Sequence, residues 1–409
     1  MSTPNPSNPS PTPPPDRATI ARRAADALEA NAARLASAHA LVGFDGFIDD
    51  IHDAVRTRRS MAPDDYDRIA TITEFADRCR AAAGRSTNIE LVRRESRPGG
   101  NGPLLANGIA ALTLPTTFIG CVGSPDDPGT LHPIYAPLAA RCRRVVPIAP
   151  PGHTDALEFD DGKIMLNQTA RVQAATWDAV SAGVGAEPLR AMLAEATLIG
   201  IVNWSLCGGI ESIWSALIDG VLPTLPPPPS GLRRRVFIDL SDPAKRSDAD
   251  IGRALSLLAS MNRIVPVTLG LNLAEGERIA GVLDASWRSL PELAASIRQA
   301  AELDTVVVHP REGASAASVD RHANPLPARW FDGPVARAPR LSTGAGDAFN
   351  AGFAVAQTLD LPLDECLAVG VAASGAYVRG AANPSLPRLV AFLRDLPAPE
   401  PGGITPPLA

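Results

Sequence analysis

The sequence predicts an α/β protein with a mainly parallel sheet covered by helices on both faces. Three observations lead there. Short, nearly unbroken apolar runs recur: Ala40–Phe44, Pro115–Gly120, Ala196–Val202, Arg235–Leu240 and Asp304–His309. Ala/Leu-rich stretches of helical composition separate them. Each run ends near polar residues. Apolar strands alternating with helices describe a sheet buried on both faces. Ligands of such sheets bind outside the carboxyl ends of the strands, which singles out Asp45, Asn203, Asp239, Asp242 and His309.

Taken in order, residues 1–16 are rich in Pro, Ser and Asn and are expected to be disordered. Arg17–Ala38 has helical composition, and Ala40–Phe44 is the first buried strand. Asn88–Glu95 alternates apolar and polar residues, and Thr154–Gln168 carries Asp160-Asp161-Gly162 as a hairpin signal. Both are expected as antiparallel strands outside the main sheet. Leu222–Gly231 contains four consecutive prolines and reads as an exposed connector. Residues 397–409 form a Pro/Gly tail, so 17–396 is expected to be one domain. No internal repeat appears.

Composition narrows the function. The 409 residues are 45% hydrophobic, enough for a large core. A net charge of −6 and only 4% aromatics argue against a nucleic-acid partner. Cysteines 79, 121, 142, 207 and 366 are isolated and odd in number, as expected of reduced thiols in a cytoplasm. No run approaches the roughly 18 apolar residues of a membrane span. The first residues lack the apolar core of a signal peptide.

Four motifs carry chemistry. In Leu341-Ser-Thr-Gly-Ala-Gly-Asp-Ala-Phe349, two glycines precede a helix expected to begin near Asp347. Unpaired N–H groups at such an end suit phosphate, and the neighbouring carboxylate suits proton removal from a hydroxyl. In Gly43–Asp50, three carboxylates follow the first strand, acceptors for several hydroxyls. Asp49 or Asp50 also reads as a helix cap or a solvent-facing acid. In Pro98-Gly-Gly-Asn-Gly-Pro103, a Gly pair permits close backbone approach to a ligand. Asn272-Leu-Ala-Glu275 is either an acid near phosphates or a helix cap with an acidic first turn. There is no P-loop, no dinucleotide fingerprint, no Gly-x-Ser-x-Gly elbow and no zinc spacing.

These motifs, in this order over about residues 40–396, resemble the ribokinase-like (PfkB) carbohydrate kinases. The resemblance implies a ribokinase-like three-layer sandwich with a small β-lid, for which segments 86–98 and 154–168 are the candidates. It implies Asp347 as the base and Gly344, Ala345 and Gly346 as the anion hole. Asp49, with Asp45 as a second contact, and Gly99, Gly100 and Asn101 would hold the sugar; Asp50 is assigned to surface or cap. Asn272, Thr343 and Gly313 would bind ATP, Glu275 would meet Mg²⁺ through water, and Gly375–Arg379 would lie near the adenine. His309 stands where Thr or Lys is usual and is read as structural. Arg93, Arg94 and Arg97 are read as a solvated edge. Two positions depart from the pattern: Leu341 replaces an acid, and Leu104 replaces an Asn. The implied function is transfer of the ATP γ-phosphate to a carbohydrate or related polyol. An ADP-dependent sugar kinase of the same fold and a non-catalytic sugar sensor are the alternatives. A homodimer is left open.

Overall fold

Every second residue of the apolar runs has an apolar partner on the opposite side of the sheet. Leu41, Ile119 and Ile199 enter one buried cluster, while Val42, Phe118 and Leu198 enter another. In the computed structural model, which describes residues 16–399, those two clusters are the layers that flank the main sheet. The strands are β1 (Ala40–Phe44), β2 (Phe47–Arg58), β3 (Tyr66–Arg68), β4 (Leu91–Gly99), β5 (Thr116–Gly120), β6 (Arg144–Pro147) and β7 (Gly152–Phe159). They continue as β8 (Gly162–Gln168), β9 (Leu198–Val202), β10 (Arg235–Asp239), β11 (Val267–Leu271), β12 (Thr305–Val308), β13 (Gly313–Ser318) and β14 (Arg329–Asp332). The main sheet has the order β14-β13-β12-β11-β10-β9-β1-β5-β6. Strands β12 through β6 in that order run parallel, and β13 and β14 close the edge antiparallel. This is the mainly parallel sheet expected, with a second, smaller sheet in the place of the expected lid.

The lid grows out of β1. Two residues after that strand ends, β2 begins and leaves the main layer. It pairs antiparallel with β4 and parallel with β7, while β7 and β8 form an antiparallel hairpin through Asp160–Asp161. The expected lid segments 86–98 and 154–168 overlap β4 and β7–β8, but the pairing is mixed, because β2 and β7 run the same way. The helical expectation over Arg17–Ala38 corresponds to two helices, Arg17–Ala30 and Ala32–Ala36, interrupted at Asn31. The expectations for residues 1–16 and 397–409 fall mostly outside the described residues. Among the described residues no helix is long and apolar enough to cross a membrane.

Two of these expectations need correcting. Asp50 is neither surface nor cap. No helix follows β1, and Asp50 lies buried in β2, accepting hydrogen bonds from Ser96 and Arg93 on β4. The helix expected near Asp347 begins two residues earlier and spans Ala345–Thr358.

Candidate active site

The site lies at the carboxyl ends of the strands, where two helices begin after a glycine. The first helix is Asn101–Ala111, and its preceding residue Gly100 has φ 93°. An L side chain there is strained, and a Cβ would also press on Phe47 N at 3.1 Å. Neither helix has a side-chain cap. At the Asn101 helix, the task falls to Asp45. Its carboxylate accepts from Asn101 N at 3.0 Å, Gly102 N at 2.6 Å and Asn203 Nδ2 at 2.6 Å. Asp45 is 0% exposed. Burial pushes its pKa up to about 6, against the pull of those three donors.

The second helix is Ala345–Thr358, preceded by Gly344 at φ 85°. A Cβ on Gly344 would lie 2.8 Å from Tyr377 Oη, and that hydroxyl donates to Thr343 O at 2.8 Å. Gly346, by contrast, has ordinary helical backbone, so its expected turn-making role does not apply. Ala345 N donates to Ser342 O and Ala348 N to Gly344 O. Among the described residues the Gly346 and Asp347 amides donate to no backbone carbonyl and to no other side chain. They are the open donors that every helix start presents unless something caps it.

Asp347, in the first turn, receives Asn101 Nδ2 at 3.3 Å, so the two helix starts meet at this carboxylate. Burial raises the Asp347 pKa well above the usual carboxylate range, and Asp239 and Asp45 raise it further. Asp239 is held by Asn350 Nδ2 at 2.7 Å and Ser241 N at 2.7 Å, and burial pushes it up to about 6. Glu275 forms a reciprocal cap with Asn272: Glu275 N donates to Asn272 Oδ1 at 3.0 Å, and Asn272 N donates to Glu275 Oε2 at 2.9 Å. The plain helix-cap reading of Asn272–Glu275 therefore describes its contacts. Burial, then the charges of Asp239, Asp242 and Asp347, push Glu275 up to about 9. Anions crowd here, and a phosphate-bound cation would relieve them.

A cavity of about 760 Å³ opens beside the Ala345 helix, within the size range of small-molecule sites. Gly313, His309, Ala345, Gly346 and Gly375 line it. Thr343 and Asn272 do not; Asn272 lines a smaller neighbouring cavity. His309 packs on Phe349 with ring centroids 4.6 Å apart, its Nε2 is buried without a partner, and burial lowers its pKa to about 4. It is therefore neutral at pH 7. On the lid side, Asp49 occupies the space a Cβ on Gly99 would need. Burial raises the pKa of Asp49, while Thr154, Arg97 and Lys163 lower it. Arg93 and Arg94 pair with Asp50 and Asp53 within the lid. Residues that motif reading did not single out are Asn350, Tyr377 as a brace for Thr343, and Lys163. The strand-end rule pointed at Asp239, and hence at the place Asn350 occupies, but no local signal reveals their pairing.

Residues 15–396 match the family model described as prokaryotic ketohexokinase. A ketohexokinase of Haloferax volcanii is 29% identical over 92% of this chain and 96% of its own length. Among solved structures, a ribokinase of Arabidopsis thaliana has a TM-score of 0.57 at 16% identity, covering 87% of this chain and 98% of its own. A probable sugar kinase from Rhizobium etli CFN 42 has a TM-score of 0.58 at 17% identity, covering 88% and 98%. At such identities the solved structures bear on the fold, and the family match carries the activity. The chain belongs to the prokaryotic ketohexokinase family, carbohydrate kinases that transfer phosphate to an alcohol group.

Proposed function

We propose that this enzyme transfers the γ-phosphate of ATP to a hydroxyl of a ketohexose, with Asp347 as the base. The observation that carries this reading is the position of Asp347. It stands in the first turn of a helix whose Gly346 amide has no acceptor among the described residues and whose Asp347 amide meets only its own carboxylate, and it touches Asn101 of the Gly-Gly segment. Proton removal and phosphoryl binding thus fall at one point. A carboxylate with a raised pKa is a stronger base once ionised, which suits it to a sugar hydroxyl. The Gly344–Gly346 backbone then faces charge on the transferring group, the main task in phosphoryl transfer.

Asp49, Gly99, Gly100 and Asn101 hold the sugar. Asp45 acts as a positioning residue, since its oxygens already serve three donors that fix the Gly100–Gly102 turn. Gly313 and the cavity beside it take the nucleotide, with Thr343 and Asn272 at its margins. ATP as donor is supported by the Arabidopsis ribokinase, described as complexed with ribose and ATP; ADP is the alternative donor. Among the described residues no group of three or more His, Cys, Asp or Glu side chains could hold a metal ion. Mg²⁺ tends to keep its waters, and Glu275 would meet it through water. Mg²⁺ when bound supplies neutralisation of phosphate charge.

The test is a phosphorylation screen of ketohexoses, aldoses and pentoses with ATP and with ADP, run on wild type and Asp347→Asn. The expected result is ATP-dependent ketohexose phosphorylation, with kcat lowered about 10²–10⁴-fold in the variant. Equal rates in the two proteins would sink the base assignment.

A further inference from the structure

The large cavity is not walled by the main domain alone. Asp160 and Asp161, at the tip of the β7–β8 hairpin, line it as well. Lys163, the second residue of β8, crosses to the loop that leads into the Ala345 helix and donates to Thr343 Oγ1. Thr343 is held from its other side by Tyr377, whose hydroxyl donates to the Thr343 carbonyl at 2.8 Å. The Lys163 ammonium also feels the charges of Glu158, Arg97 and Asp49. It therefore lies between the carboxylate proposed to meet the sugar and the residue immediately before Gly344. The chain's use of basic residues adds a second, independent observation. Of its 38 Lys and Arg residues, only Lys163 and Lys245 are lysines. Arg serves everywhere else, including the ion pairs of the lid. A compact ammonium suits a single hydroxyl acceptor, where the wider guanidinium fork suits carboxylates.

We propose that Lys163 is a positioning residue for phosphoryl transfer: docked on Thr343, it ties the lid tip to the anion-hole loop and holds a cation beside it. Lid closure over the sugar and the setting of the Gly344–Gly346 amides then become one event, since the same contact joins them. This rests on the assignment of Gly344–Gly346 as the phosphoryl site. Positioning of this kind affects the chemical step more than ground-state binding.

The test uses Lys163→Met, Lys163→Arg, Thr343→Val and the Lys163→Met/Thr343→Val double variant, with Asp347→Asn as control. Lys163→Met is expected to lower kcat about tenfold or more, with the sugar KM changed less than about threefold. The double variant should be no slower than the slower single one, because both remove the same contact. Lys163→Arg should recover part of kcat by restoring the charge, and this arm decides the matter if Lys163→Met melts early. Wild-type kcat in Lys163→Met, additive losses in the double variant, or no recovery with Arg would overturn the proposal. If Asp347→Asn is inactive while Lys163→Met is normal, only the role of Lys163 fails. If Asp347→Asn keeps full activity, the underlying site assignment fails and takes this proposal with it.

Discussion

The Asn101 and Ala345 helices both follow a left-handed glycine, Gly100 at φ 93° and Gly344 at φ 85°, and neither has a side-chain cap. Their electrostatics nonetheless diverge. At the Asn101 end, Asp45 already occupies the two leading amides. At the Ala345 end, the Gly346 amide is left open, the Asp347 amide meets only its own carboxylate, and that carboxylate receives Asn101. A helix start favours an anion. One end carries its anion in the fold and so becomes scaffold. The other is free to receive an anion from outside, the role that the proposed function gives it. Similar glycine-entered helices thus differ in one respect, set by Asp45, the residue immediately after β1.

The largest effect on stability is expected from the filled end. Asp45→Ala leaves two buried amides and the Asn203 side chain without their acceptor. Each unsatisfied donor costs about 1–3 kcal/mol, so a loss of about 3 kcal/mol or more is expected, measured by denaturant unfolding. The relief of a carboxylate whose pKa sits near 6 offsets part of this. A loss below about 1 kcal/mol would show that Asp45 is not the anchor of that turn.

At the open end, Gly344→Ala should cost less stability and more activity. A left-handed non-glycine residue costs about 1–2 kcal/mol. Its Cβ would also meet Tyr377 Oη at 2.8 Å, displacing the hydroxyl that braces Thr343. The expected result is a fall in kcat exceeding that of Gly100→Ala measured beside it. If the two glycine variants lose kcat equally, the distinction between scaffold and site is wrong at this level.

How much of this the sequence discloses depends on whether the cause is local. Strands β1, β5, β9, β10 and β12 are legible because both faces are buried and their residues are apolar in continuous runs. Strand β2 is not, because its polar residues are stabilised by partners far along the chain: Asp50 by Ser96 and Arg93, Asp53 by Tyr66 and Arg94. Strand β13, Gly-Ala-Ser-Ala-Ala-Ser, has little strand propensity and is held by pairing on both edges with β12 and β14. The same division runs through the site. Gly344 and Asp347 are legible because a turn and a helix start are local features. The occupation of Asp45 is illegible because its donors stand at 101, 102 and 203.

The smallest effect is a pH dependence that separates the two ends without altering either backbone. An acid whose pKa is raised by folding binds an extra proton in the folded state, so stability falls as pH rises between the unfolded and folded values. For Asp45, raised from 3.8 to about 6, that window closes near pH 6. For Glu275, raised from 4.5 to about 9, it extends past neutrality, and Asp347 is raised well above 3.8 in the same direction. His39 and His309, lowered from 6.5 to about 4, contribute the opposite sign, but only below about pH 7, since above it they are neutral in both states. The buried thiols, raised from 9.0 to about 12, add the same sign only toward the upper end of this range and beyond. The melting temperature of the unliganded protein should therefore decline between about pH 7 and 8.5, at up to about 1.4 kcal/mol per pH unit for each extra proton held. Asp347→Asn should flatten that slope, because the Asp347 charge is one of those that raise Glu275. Asp45→Asn should lower the whole curve and leave the slope over this window unchanged. An identical slope in wild type and Asp347→Asn would mean that the open end exerts no charge on Glu275, and the contrast between the two helix starts would then rest on hydrogen bonding alone.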